Sequence, residues 1–140
     1  MTDKLVWTYN VSPDNFISAG EASSDVKRLL RQLGAPKDVI RKVSIAMYEG
    51  EINMVIHAKG GVITVTVDEN AITMVLKDSG PGIPDVEKAM QAGFSTARED
   101  VRNLGFGAGM GLPNMKSNSD EMTIDTELGV GTTVTMKVYI

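Results

Sequence analysis

Residues 62–78 read VITVTVDENAITMVLKD, in which two alternating apolar runs lie on either side of the polar turn DEN. Apolar and polar side chains that alternate with a period of two are typical of a strand with one buried face, so this stretch predicts a β-hairpin. On the second strand the apolar side chains share a face with Asp78, which therefore ends an apolar row. The hairpin predicts a sheet with one face packed against other elements.

A second hairpin is predicted at residues 121–140, EMTIDTELGVGTTVTMKVYI, around the turn Gly129-Val130-Gly131. Its last strand carries a row of apolar side chains on one face, and Thr132 lies at the end of that row by the same period of two. A short strand is also predicted over residues 4–11. Asp78 and Thr132 are thus both expected at row ends on the buried face.

Two helices are predicted between the first strand and the first hairpin. Ser12 and Pro13 are typical of a helix start, and apolar residues at helical spacing follow until Gly34. Residues 36–59 predict a second helix that ends at a glycine pair, with further helices near 85–92 and from the glycine run at 105–111 to about residue 117. The second half of the 36–59 helix is apolar almost all round, which makes three polar residues on it conspicuous: Glu49, Glu51 and Asn53.

These elements predict one α+β domain over residues 1–140. We expect a two-layer α/β sandwich with a mixed, mostly antiparallel sheet and helices on one face. The 140 residues are 42% hydrophobic and 23% charged, which suits a globular domain of common size.

Composition excludes several classes of protein. The absence of cysteine excludes disulfides and thiolate metal sites, and a single histidine excludes a polyhistidine site. No stretch is apolar enough to span a membrane, and the N-terminus has no signal-peptide pattern, so a cytoplasmic protein is predicted. A net charge of −4 argues against a nucleic-acid partner.

Three short stretches could carry chemistry. Glu49 and Asn53 lie one helical turn apart, where a carboxylate could take a proton and an amide oxygen could bind Mg²⁺, or both could be satisfied polar groups at a helix edge. Residues 78–82, DSGPG, place an acceptor before two glycines, as in an adenine pocket or a plain turn. Residues 105–112, GFGAGMGL, lead into a helix, as in an anion site or a hinge.

The order of these motifs resembles a known family. Glu-x-x-x-Asn, Asp-x-Gly-x-Gly, a glycine-rich helix start and then Gly-Thr-Thr-Val occur in this order in the Bergerat-fold (GHKL) ATPases, which include gyrase B, the Hsp90 chaperones, sensor histidine kinases and MutL. DSGPGIPDVEKAMQAGFST (78–96) and GAGMGLPNMKSNSDEM (107–122) further resemble the anti-sigma-factor serine/threonine kinases, especially the stressosome switch kinase branch.

The resemblance implies an ATP site with Mg²⁺. In that family the residue matching Glu49 is the general base, the one matching Asn53 binds Mg²⁺, and the one matching Asp78 contacts adenine. Thr132 would support the base through water. The remaining residues implied to contact the nucleotide belong to the glycine motifs: Gly80, Gly82, Ile83, Gly107, Ala108, Gly109, Met110, Gly111 and Leu112.

One position departs from the family pattern. Several anti-sigma-factor kinases carry an arginine just before the glycine box, where this sequence has Gly107. Lys59, Arg98 and Arg102 are the candidate phosphate contacts in its place.

Two functions stay open at this stage. The resemblance implies a kinase that phosphorylates a STAS-domain regulator in a partner-switching pathway. The departure at Gly107 leaves open a nucleotide-dependent binding switch that holds a sigma factor or activates a phosphatase. Either protein could be a homodimer.

Overall fold

The computed structural model describes residues 4–12, 18–57, 60–83, 86, 90 and 111–140. Its elements in chain order are β1 (Leu5–Val11), α1 (Glu21–Gln32), α2 (Lys37–His57), β2 (Gly61–Val67), β3 (Ala71–Asp78), α3 (Gly111–Ser117), β4 (Glu121–Glu127) and β5 (Gly131–Tyr139).

The five strands form one sheet in the order β1-β2-β3-β5-β4. Both predicted hairpins are confirmed, since β2 pairs with β3 and β4 pairs with β5. Every pairing among the described strands is antiparallel. The sheet was expected to be mixed, but the described strands include no parallel pair.

The helices cover one face of the sheet, which confirms the predicted α+β sandwich. Along β3 and β5, buried side chains alternate with more exposed ones, as one-sided packing requires. The 21-residue α2 lies in the middle of the helical layer and contacts α1, α3 and the sheet. The largest fully buried side chains include Leu30, Met47, Met74, Met115 and Met136.

The predicted first helix does not run unbroken from Ser12 to Gly34. Residues 18–20 form a turn, and α1 begins at Glu21 directly after Gly20, whose φ of 96° is left-handed. Glycine adopts this conformation readily whereas other residues do not, so the helical spacing could not extend back through Gly20. Pro13 itself lies outside the described residues.

The N-terminus of α1 is capped by a buried carboxylate from α2. Glu51 is 3% exposed, and its oxygens accept hydrogen bonds from the backbone N–H groups of Gly20 (2.9 Å), Ala22 (3.3 Å) and Ser23 (3.0 Å). The Ser23 hydroxyl donates a fourth bond to it at 2.7 Å. An anion at a helix N-terminus satisfies the free N–H groups there and is favoured by the helix dipole. Glu51 therefore fixes α1 to α2.

Other predicted elements are described only in part. In the predicted helix near 85–92, Met90 N–H donates to the carbonyl of Val86 at 3.0 Å, as in a helical turn, and the rest lies outside the described residues. None of the helices in the described ranges is long and apolar enough to cross a bilayer.

A polar contact ties the edge strand β1 to α1. The Tyr9 hydroxyl donates to Asp25 at 2.6 Å, and Asp25 also pairs with Arg28. Burial and the Asp25 carboxylate raise the pKa of Tyr9 above its ordinary value of 10.0. The bonds from Tyr9 and Arg28 lower the pKa of Asp25 below 3.8.

Tyr9→Phe is expected to lower the free energy of unfolding at pH 7 by about 1 kcal/mol, because it removes one hydrogen bond to a partly exposed charged group. The Tyr9 contribution is present below pH 10 and disappears as pH rises toward its raised native pKa. The Asp25 contribution is present above its unfolded pKa and disappears as pH falls through its lowered native pKa. The variant should therefore lose stability less steeply than the parent at both extremes.

Urea unfolding across this pH range measures the effect, and Tyr48→Phe is the matched control. Tyr48 is 42% exposed, and its hydroxyl has no hydrogen bond to the described part of the chain. Equal losses in the two variants would contradict a stabilising Tyr9–Asp25 bond.

Candidate functional site

Glu49 and Asn53 face α3 from the second half of α2. Both side chains are half-buried, and Glu49 accepts a hydrogen bond from the Asn114 amide at 3.2 Å. The Asn53 amide nitrogen lies 3.7 Å from the sulfur of Met115. The start of α3 thus holds both side chains of the first predicted motif.

Gly111 lies where α3 meets Asn53. A Cβ at this position would lie 2.9 Å from the Asn53 amide nitrogen and 3.0 Å from its oxygen, closer than such contacts normally allow. The backbone of α3 therefore lies directly against the Asn53 side chain, as the glycine-rich motif suggests. Leu112, the next residue, is half-buried and packs against the core.

Asp78 forms the centre of a second group. Its Oδ1 accepts hydrogen bonds from the backbone N–H groups of Gly80 at 2.9 Å and Thr132 at 3.0 Å. Within the described residues both bonds fall on Oδ1, which leaves Oδ2 to accept from a ligand. Asp78 and Thr132 each lie at the end of a buried row, as expected, and the structure brings the two residues into contact.

A pair of threonine hydroxyls extends this group. Thr126 and Thr132 lie 2.9 Å apart through their Oγ1 atoms, and Ile83 N–H donates to Thr126 at 2.9 Å. Gly82 has a φ of 83°, and a Cβ on it would lie 2.8 Å from the carbonyl oxygen of Glu127. The segment after Asp78 therefore lies against the turn between β4 and β5, in a space that only glycine fits.

The two groups flank one packing contact between helix and sheet. Gly50, directly after Glu49, lies so close to the Leu76 side chain that a Cβ would overlap it. Leu76 precedes Asp78 by two residues on β3, so both side chains are on the same face of the strand. The structure thus places the helix motif and the Asp-x-Gly-x-Gly motif at the same end of the sandwich.

Seven predicted nucleotide contacts fall outside the described residues: Lys59, Arg98, Arg102, Gly107, Ala108, Gly109 and Met110.

Asn114 and Thr126 belong to these groups but were missed in the sequence. Asn114 lies three residues after Gly111, so a helix starting in the glycine run places both on one face, which is a signal that could have found it. Thr126 is opposite Thr132 in the register of β4 and β5, which becomes visible only when the hairpin is aligned.

The side chains at this site suit a metal ion that binds together with a phosphate ligand better than one coordinated by protein side chains alone. The described residues contain no cluster of three or more histidine, cysteine or acidic side chains that could hold an ion. Mg²⁺ usually takes one or two protein oxygens and completes its shell with water and phosphate oxygens. The amide oxygen of Asn53 is an oxygen donor of the type that Mg²⁺ accepts.

Comparison with known proteins gives a consistent result. Residues 13–138 match the histidine kinase-like ATPase domain. An anti-sigma F factor from Thermoanaerobacter sp. (strain X514) is 34% identical over 94% of both chains, and one from Caldanaerobacter subterraneus subsp. tengcongensis is 35% identical with the same coverage. The anti-sigma F factor of Geobacillus kaustophilus is 30% identical over 82% of this chain and 80% of its own.

A solved structure shares the fold. The crystal structure of the RsbU and RsbW domains of a protein from Mycobacterium tuberculosis superposes with a TM-score of 0.61 over 94% of this chain, at 18% identity. This chain spans 32% of that longer one. The comparisons confirm the resemblance to the anti-sigma-factor branch of the Bergerat-fold proteins.

Proposed function

Because this chain belongs to the histidine kinase-like ATPase family, in the branch of the anti-sigma F factors, we propose that it is an ATP-dependent serine/threonine kinase acting on a STAS-domain regulator. The observation that carries the proposal is the half-exposed Glu49 carboxylate, held by Asn114 one helical turn from Asn53. A carboxylate beside a metal-binding amide is the pair that phosphoryl transfer to a hydroxyl needs.

Each group has a distinct role in this proposal. Asp78 Oδ2 accepts a hydrogen bond from the adenine amino group, while its Oδ1 keeps the backbone N–H groups of Gly80 and Thr132 in place. Gly82 lets the base approach the backbone. Residues 107–111 bind the phosphates, and Lys59, Arg98 or Arg102 supplies the positive charge that the absent arginine would provide.

Glu49 acts as the general base. It takes the proton from the serine or threonine hydroxyl of the regulator while the hydroxyl oxygen bonds to the γ-phosphorus and the bond to the β,γ-bridging oxygen breaks, which releases ADP. Asn53 would hold Mg²⁺, which neutralises charge on the phosphates. The hydroxyl pair Thr126–Thr132 supports Glu49 through water.

Glu49→Gln is expected to slow phosphorylation by at least about 100-fold, because general-base catalysis typically contributes that much or more. ATP affinity should stay unchanged, since glutamine still accepts the bond from Asn114. Transfer of labelled γ-phosphate from Mg-ATP to a STAS-domain protein of the same genome measures the rate, and a fluorescent ATP analogue measures binding. Glu69→Gln, in the exposed turn between β2 and β3, is the matched control.

A second candidate function is a nucleotide-dependent binding switch with little kinase turnover. Gly107 in place of the phosphate-contacting arginine favours it, and the anti-sigma F names of the relatives suggest a sigma factor as the partner. No phosphoprotein at stoichiometric enzyme, together with sigma-factor binding that changes with ATP, would replace the kinase proposal with this one.

A further inference from the structure

Four basic side chains line one groove between α1 and α2, which we call the cationic groove. Lys27 and Arg31 come from α1, while Lys37 and Arg41 come from α2. The groove has a volume of about 530 Å³, and all its lining residues are described. It lies toward the N-terminal end of α2, whereas Glu49 and Asn53 lie in its second half.

The floor of the groove is largely apolar. Ala35, Ile40 and Ile45 line it beside Ser44; Ile40 is buried in the core, whereas Ala35 and Ile45 are half-buried. The aliphatic stems of lysine and arginine commonly lie along apolar surface with the charged heads in water, so the groove offers a ligand both charge and apolar contact.

The four cations lack partners within the described part of the chain. The two ion pairs there join Arg28 to Asp25 and Lys42 to Asp120, and neither involves the groove. Cations four residues apart on one helix repel each other, and both helices contribute such a pair. Lys37 is also in the first turn of α2, the end of a helix that disfavours positive charge.

We propose that the cationic groove binds an acidic amphipathic helix of a partner protein. Carboxylates one turn apart on such a helix would pair with the two cationic pairs, while its apolar side chains cover Ala35 and Ile45. Nucleic acid would match the charges but leave the apolar floor uncovered. A membrane surface would not fill a concave groove. The inference does not depend on the nucleotide site.

The probe is a fluorescein-labelled peptide of about 18 residues, five helical turns, with glutamate and leucine on one face. Fluorescence anisotropy with nucleotide-free protein is expected to show binding that weakens as salt is raised, because the contacts are ionic. A scrambled peptide of the same composition should bind at least about tenfold more weakly, since it cannot present both groups on one face.

Paired variants locate the site on the surface. Lys27→Gln combined with Arg41→Gln is expected to weaken peptide binding about tenfold or more. Lys77→Gln combined with Lys137→Gln removes the same charge from the opposite face of the sheet. This variant should change the affinity for the peptide less than about twofold.

Three outcomes would overturn the proposal. The scrambled peptide could bind as tightly as the amphipathic one, or the two double variants could weaken binding equally. Single-stranded DNA or phosphatidylglycerol vesicles could also bind more tightly than the peptide and lose that affinity only in the Lys27→Gln, Arg41→Gln variant.

Discussion

Glu51→Gln is expected to lower the free energy of unfolding by about 4 kcal/mol, because donors buried at the start of α1 lose a charged acceptor. The glutamine amide would place an NH₂ group where the carboxylate now accepts bonds from Gly20 and Ala22, and donors cannot satisfy donors. Urea unfolding followed by circular dichroism measures the loss. Glu51 carries no assigned role in catalysis, so this is a test of the fold alone.

Glu69→Gln is the control for charge. Glu69 is exposed in the turn between β2 and β3, where such a change is expected to stay within about 0.5 kcal/mol. A loss below about 1 kcal/mol for Glu51→Gln would contradict a cap that fixes α1 to α2.

Gly131→Ala is expected to lower the free energy of unfolding by about 4 kcal/mol and to abolish nucleotide binding. A Cβ at Gly131 would overlap the carbonyl oxygen of Asp78, so β3 and β5 would have to separate at the candidate adenine site. The φ of 152° adds strain for any residue with a side chain. Urea unfolding and a fluorescent ATP analogue measure the two effects.

Gly129→Ala is the matched control in the same turn. Gly129 has a φ of 80°, but a Cβ there would meet nothing within 4 Å. The Gly129→Ala variant should lose only about 1–2 kcal/mol of its free energy of unfolding, because of backbone strain, and should still bind nucleotide. Similar losses in the two variants would show that strain rather than the Asp78 contact makes Gly131 necessary.

Much of the fold could be predicted because its signals are local. Alternation and short turns are sufficient to define both hairpins, and the period of two places Asp78 and Thr132 each at the end of an apolar row, although not next to each other. The motif order identified the family. The helix spacing likewise placed Glu49 and Asn53 on one face.

The errors and omissions arise where a residue distant in the sequence determines where an element begins or which side chains are in contact. The helical spacing predicted one helix from Ser12 to Gly34, but α1 begins at Glu21, where its cap comes from Glu51, about 30 positions away. Glu51 was conspicuous in the sequence, yet its partner could not be known before the helices were packed. Helical spacing could have placed Asn114 on the face of Gly111, but its contact with Glu49, 65 positions away, could not be known from the sequence.

The position of β1 has a consequence for folding kinetics. Its register joins Leu5 to Val67, so both long helices lie within the loop that this pairing closes, whereas the two hairpins close through short turns. Loop-closure entropy opposes such distant pairings until other contacts hold the ends together, and topologies rich in them fold slowly. The first strand in the sequence is therefore expected to be the last to join the sheet.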